Sequence, residues 1–138
     1  MSEVPASAAS RAREVIRRLG EFDFDGVAAM LSADFVQEYP YRPTPDSPDQ
    51  IAGPEAFLAF CRAGMTAFDP YAFRIESVYE TTSPTTVIVE YSSHTRLLAT
   101  NTPYSNRYIG VFTFDGSGKL ARWREYLNPQ VIANAFGG

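Results

Sequence analysis

"RYIGVFTFDGSGKLARWREYLNP", residues 107–129, is the stretch that decides the fold. Residues 107–114 alternate apolar and polar side chains, as a half-buried strand does. The Asp-Gly-Ser-Gly that follows is a hairpin turn, and residues 119–128 alternate again until Asn128-Pro129 stops them. Two strands joined in this way form one edge-to-edge unit. In the second strand, period two puts Ala121, Trp123, Glu125 and Leu127 on one face, and Leu120, Arg122, Arg124 and Tyr126 on the other. The first face is apolar apart from one carboxylate. That face points inward, so Glu125 is expected inside.

Upstream, two more period-two segments precede the hairpin, residues 71–80 and 87–100, with a turn at 81–86 and a connection at 101–106. Before Pro70 the period is helical. Ala8, Ala12, Val15, Leu19 and Phe22 follow helical spacing over residues 7–22. Asp23 or Asp25 can cap a short second helix over 26–32, and residues 53–68 form a third, with Pro54 in the first turn and Glu55 favouring the helix dipole. "DFVQEYPYRP" between them is extended, ended by Pro40 and Pro43. Residues 43–54 hold four prolines and make a loop long enough to serve as a lid. "PQVIANAF" closes the chain as a short helix. Helices first and antiparallel strands afterwards give an α+β fold, with helices on one face of a curved sheet and a cone-shaped cavity between them. Residues 1–6 read as a flexible tail, and 7–138 as a single domain.

The composition narrows the function classes. A net charge of −4 argues against nucleic-acid binding, and there is no signal-peptide core or run of 18 apolar residues. The expectation is a cytoplasmic protein without a membrane partner. A single cysteine, Cys61, excludes an internal disulfide and a cysteine zinc site, and it sits in an apolar helical pattern as a buried thiol. Aromatic residues make up 14% of the chain, enough both to fill a core and to line an apolar pocket. No G-x-S-x-G elbow, P-loop, G-x-G-x-x-G or H-E-x-x-H is present, which argues against phosphate-binding, dinucleotide and zinc-hydrolase chemistry.

The order of elements, "FVQEYPYRP" after two helices, the "GPEAFLAFCRAG" helix and the ending "YIGVFTFDGSGKLARWREYLNP" resemble the SnoaL-like proteins of the ketosteroid-isomerase-like, nuclear-transport-factor-like superfamily. The likeness covers about residues 7–136. Within it, the final segment is most similar to proteins of the phenazine-biosynthesis A/B type. The resemblance implies a conical α+β barrel, a sheet wrapped around the N-terminal helices and a homodimer packed through the outer sheet face. It also implies a deep apolar pocket and acid–base chemistry without cofactor; separately, one histidine and no cysteine cluster give no metal-ligand spacing, so no metal is expected. A Glu on the last strand is the acid/base in the phenazine-type proteins; it matches Glu125. The fold hosts isomerases, cyclases, dehydratases, hydrolases and non-catalytic members, so function rests on the site.

Residues able to carry chemistry fall into four groups. Glu125 among apolar neighbours would have a raised pKa and could shuttle protons near neutrality; alternatively it forms a salt bridge with an arginine of a neighbouring strand. His94, the only histidine, shares a face with Ile88, Glu90, Ser92 and Arg96, while Val87, Val89, Tyr91 and Ser93 share the other. The His94 face could be exterior, interface or pocket mouth, and His94 could partner Glu125 in catalysis. Tyr91 is a candidate substrate contact. In "QEYPYRP", Tyr39 and Tyr41 could donate to a substrate oxygen and Arg42 could bind a carboxylate, or Glu38 and Arg42 form a solvated pair. Tyr104, Asn106 and Tyr108 share one parity, with Asn106 a candidate polar pocket group. Trp123 suits a pocket wall that stacks on a ring. Two functions fit: an isomerase-, cyclase-, condensation- or dehydratase-type enzyme on a small apolar or cyclic carbonyl compound, and a non-catalytic binding or accessory dimer.

Overall fold

The computed structural model describes residues 7–137. The tail expected at 1–6 lies outside them. Ser7 opens the first helix, α1 (Ala8–Gly20), its Oγ accepting from the Ser10 N–H at 3.1 Å. Ala12, Val15, Ile16 and Leu19 form the buried stripe of α1. Asp23 caps α2 (Phe24–Ala28) by accepting from the Gly26 N–H. This helix is shorter than the expected 26–32. Leu31 and Ser32 belong instead to β1 (Leu31–Glu38), because parallel pairing with the last strand captures them: the Leu120 N–H donates to the Met30 carbonyl at 2.8 Å. The gain is burial of the Leu31 side chain.

The proline loop contains a short strand, β2 (Gln50–Ala52), which pairs antiparallel with β1 and buries Ile51. Gly53, at φ +91°, turns the chain into α3 (Pro54–Met65). Four strands follow: β3 (Arg74–Glu80), β4 (Thr86–Leu97), β5 (Thr102–Phe114) and β6 (Leu120–Tyr126). The connection expected at 101–106 is largely strand. Asn101, at φ +55°, makes a turn so tight that pairing of β4 with β5 resumes at Leu97 and Thr102. In the β5–β6 turn, Asp115 Oδ1 accepts from the Ser117 and Lys119 N–H groups. The last element, α4 (Pro129–Ala135), is capped by Asn128, whose side chain accepts from the Gln130 N–H.

The six strands lie in the order β2-β1-β6-β5-β4-β3, antiparallel except for the parallel β1–β6 pair. The expected α+β architecture is present as a curved sheet that does not close into a barrel. The inner face carries Phe35 and Gln37 of β1, Tyr39 just after it, Tyr91 of β4, Tyr108 and Phe112 of β5, and Trp123 of β6, all buried. One parity assignment needs correction. A bulge between the Phe114–Leu120 and Thr113–Arg122 pairs resets β6, so Leu120 is buried in the core rather than sharing the exposed arginine face. Beyond the bulge, Trp123 and Glu125 point inward as their spacing predicts.

Candidate active site

The cavity between sheet and helices has a volume of about 370 Å³. Its walls are mostly aromatic and aliphatic: Phe57 and Phe60 from α3, Phe73 ahead of β3, Leu127 and Ile132 near the C-terminus. Thr44 and Ser47 of the proline loop also line it. Among the described residues, no arginine, lysine or histidine does so. The polar groups are Gln37, the phenols Tyr39, Tyr71, Tyr104 and Tyr108, the Trp123 indole and one carboxylate, Glu125. The Cys61 thiol also faces it, and burial pushes its pKa up, so it stays a protonated thiol.

Glu125 accepts a hydrogen bond from the Tyr91 hydroxyl. Burial raises the carboxyl pKa to about 7, and the Tyr91 hydrogen bond works in the opposite direction. It is a group that changes charge near neutrality inside an apolar space. It forms no ion pair among the described residues. The β6 arginines are engaged elsewhere: Glu38 on β1 accepts from Arg122 at 2.8 Å and from Arg124 at 3.3 Å. The cross-strand salt bridge considered for Glu125 is made by Glu38.

Tyr91 is fully enclosed, and burial, followed by the nearby Glu125 charge, drives its pKa far upward. It is therefore a neutral donor. Its ring stacks on Tyr108 with centroids 5.0 Å apart, and Phe73 presents an edge to both. Tyr108 shares a hydrogen bond with Ser93 Oγ at 2.7 Å. Asn106 donates from Nδ2 to the Tyr104 oxygen at 2.9 Å and to the Asn128 carbonyl at 3.1 Å. It stands behind the cavity wall, fixing Tyr104 and the start of α4. Tyr39 lines the wall beside Phe60.

The other expected site residues lie elsewhere. His94 is exposed on the outer sheet face, within reach of Ser92 Oγ at 3.2 Å and Ser105 Oγ at 3.3 Å. It is not brought together with Glu125, because residues 91 and 94 of one strand face opposite ways. Tyr41 is 61% exposed and packs against Tyr126, and Arg42 lies 3.8 Å from Asp49 in the proline loop. Neither lines the cavity. Two wall residues escape the sequence reading. Tyr71 opens the period-two segment read at 71–80 but lies ahead of β3, and its alternation did not single it out as a cavity group. Gln37 had a signal: an amide between Phe35 and Tyr39 at period two.

Gln37 and Trp123 are partners across β1 and β6, and each is 1% exposed. Gln37 Oε1 and Trp123 Nε1 have no hydrogen-bond partner among the described residues. The indole N–H is directed toward the Tyr91 hydroxyl, and this contact opposes the rise of that phenol's pKa. Gly110, opposite Glu125 on β5, leaves room for the indole: a Cβ there would lie 3.0 Å from Trp123 Nε1 and 2.6 Å from Phe112 Cε2.

The SnoaL-like domain profile matches residues 12–123, most of the chain. The protein belongs to the SnoaL-like family. Its curated relatives include the uncharacterised protein YesE of Bacillus subtilis (strain 168), 29% identical over 126 residues, covering 91% of this chain and 84% of that one. The crystal structure of a candidate isomerase from Bacillus subtilis superposes with a TM-score of 0.83 at 28% identity, covering 96% of this SnoaL-like chain and 97% of the other. A Δ5-3-ketosteroid isomerase from Mycobacterium sp. shares the fold, with a TM-score of 0.76 at 19% identity over 91% and 97% of the two chains. Among the described residues, no group of three or more His, Cys, Asp or Glu could hold a metal ion, and no helix is long and apolar enough to cross a membrane.

Proposed function

We propose that this protein is a cofactor-independent acid–base enzyme that moves a proton on a small, neutral, cyclic carbonyl compound. The observation that carries the proposal is Glu125, a single carboxyl group with a pKa near 7, hydrogen-bonded to Tyr91 in an apolar cavity of ligand size. Ionised Glu125 takes a proton from the carbon beside the carbonyl. The bonding pair moves onto the carbonyl oxygen as an enolate, and Glu125 returns the proton to a second carbon or to oxygen. Phenols in the wall, held protonated by burial, can donate to the enolate oxygen. The likeness of residues 107–129 to the phenazine-type ending supports the same role for Glu125. Isomerisation, cyclisation, condensation and dehydration all use this first step. The outer sheet face exposes Ile109 and Tyr79, which supports a homodimer packed through that face as part of the same reading.

Deuterium exchange into 2-tetralone, a neutral bicyclic ketone, tests the proposal by NMR in buffered D2O. The parent protein is expected to accelerate exchange above the buffer rate, and Glu125→Gln to lose at least about a hundredfold of that acceleration while still folding. Exchange that survives Glu125→Gln would remove the carboxylate from the mechanism. Ketone binding with no exchange above buffer would favour a ligand carrier on the same fold.

A further inference from the structure

The phenol hydroxyls around the cavity divide into two kinds. Those of Tyr91, Tyr104 and Tyr108 are engaged within the protein, by Glu125, Asn106 and Ser93 respectively. Those of Tyr39 and Tyr71 have no hydrogen-bond partner among the described residues, and neither is shut off from water as the Gln37 oxygen is. Tyr39 is 6% exposed, so its hydroxyl opens into the cavity it lines rather than to the outer surface. A polar group kept unpaired and nearly enclosed in a cavity wall is a place for a ligand atom. Tyr39 comes one step after the Glu38–Arg124 pair, which sets it level with Glu125 on the neighbouring strand, about 4.8 Å away. Tyr71 stands across the cavity, ahead of β3 at the other end of the sheet order. Its N–H donates to the Gly20 carbonyl at 2.8 Å, and its ring meets Phe68 edge-on and Phe73 at 5.3 Å between centroids, which fixes the phenol in place. Burial keeps both phenols protonated, and the Glu125 charge adds to that effect in each, so the two hydroxyls and the carboxylate share one space.

We infer that Tyr39 and Tyr71 hold the substrate at two points, so that the substrate carries two hydrogen-bond acceptor oxygens, one of them the reacting carbonyl. Tyr39 donates to the carbonyl oxygen beside Glu125. Tyr71 donates to the second oxygen on the opposite side of the cavity. When Glu125 takes the proton from the neighbouring carbon, the bonding pair moves onto the carbonyl oxygen. The hydrogen bond from Tyr39 strengthens as that charge develops, and Tyr39 keeps its own proton. The second oxygen takes no part in the proton transfer; it sets which carbon lies at Glu125. The inference rests on the reading of this cavity as the site of proton transfer, and adds which phenols act and what the far side of the ligand must offer.

The test uses matched pairs of probes. Methoxy-2-tetralones with the ether oxygen at C5, C6, C7 or C8 scan the position of a second acceptor. The corresponding ethyl-2-tetralones replace that oxygen by CH2 at nearly the same shape. Against a wall without a free donor the ether oxygen is a burden, because it leaves water unpaired. Calorimetry on the parent protein is expected to show at least one methoxy compound binding about tenfold tighter than its ethyl twin. Tyr71→Phe should erase that preference and leave the affinity for unsubstituted 2-tetralone within about threefold. Tyr39→Phe should keep the preference and slow deuterium exchange into bound 2-tetralone by at least about thirtyfold, a larger loss than in its affinity, because the enolate needs the donor more than the ketone does. Both variants keep the ring and every hydrogen bond made within the protein, so their melting temperatures should match the parent. Equal affinities within all four pairs, or a preference that survives Tyr71→Phe, would overturn the inference. So would exchange that survives Tyr39→Phe and disappears in Glu125→Gln, a result that leaves the proton transfer itself standing. A methoxy preference erased by Tyr71→Phe, with no exchange above buffer in the parent, would sink the enzymatic reading and leave the two-point hold in place.

Discussion

The Tyr91 hydroxyl on β4 donates to the Glu125 carboxylate on β6, across the intervening β5. This bond holds the pKa of Glu125 below the value that burial alone would set. Tyr91→Phe removes the donor and leaves the cavity equally apolar. The inflection in any Glu125-dependent rate should then move upward from about 7, with activity at pH 6 falling more than at pH 9. A pH–rate profile of ketone exchange for both proteins checks this. An inflection that stays in place would mean that the phenol does not tune the acid.

Glu125 also governs stability. Its carboxyl pKa is about 7 in the folded protein, against an ordinary value of 4.5. Between those values the folded state holds more protons than the unfolded state, so stability falls as pH rises through the window. The cost is absent below about pH 4.5 and fully present above about pH 7, reaching ~3 kcal/mol. Glu125→Gln removes the ionisation. The variant is expected to melt higher than the parent at pH 8, with the gap closing toward pH 4.5. Equal melting temperatures throughout would mean that the carboxylate is not desolvated.

Much of the site is legible in the sequence because strand parity is a local property. Residues 121–127 place Glu125 and Trp123 inward without reference to any partner strand. Leu120 breaks the rule because a bulge is decided by how two strands fit, which the alternation of one strand does not record. The Asn101 turn was hidden for a related reason. A polar stretch such as Thr102–Asn106 looks like loop until its pairing with Thr95 and Ser93 is known. His94, Tyr41 and Arg42 were legible as residue types capable of chemistry, but their direction depends on which sheet face is covered. Gln37 is the opposite case. Its parity was readable, yet alternation does not record that its Oε1 is left without a partner among the described residues, which only packing reveals.

His94 supplies a control for the geometry. It is exposed on the outer face, separated from Glu125 by the sheet itself. His94→Ala should leave ketone exchange within about twofold of the parent and change stability by no more than ~0.5 kcal/mol. A hundredfold loss of exchange, without a change in melting temperature, would place the imidazole in the mechanism.

Gly110 leaves the space into which Phe112 and Trp123 pack. It pairs with Glu125, and it is the one position on the inner face of β5 between Tyr104 and Phe114 that carries no side chain. A methyl group there would approach Phe112 Cε2 to 2.6 Å and Trp123 Nε1 to 3.0 Å, inside normal contact distances. Phe112 and Trp123 are themselves packed together at 4.7 Å between centroids, so neither ring can retreat without disturbing the other. Gly110→Ala is therefore expected to destabilise the fold by about 1–3 kcal/mol. It should also turn the indole N–H away from its present position. Trp123 is the only tryptophan, so its fluorescence reports that movement directly. The expected result is a shifted emission maximum together with weaker ketone binding. An unchanged emission spectrum with parental stability would show that the clearing over Gly110 is not needed to seat Trp123.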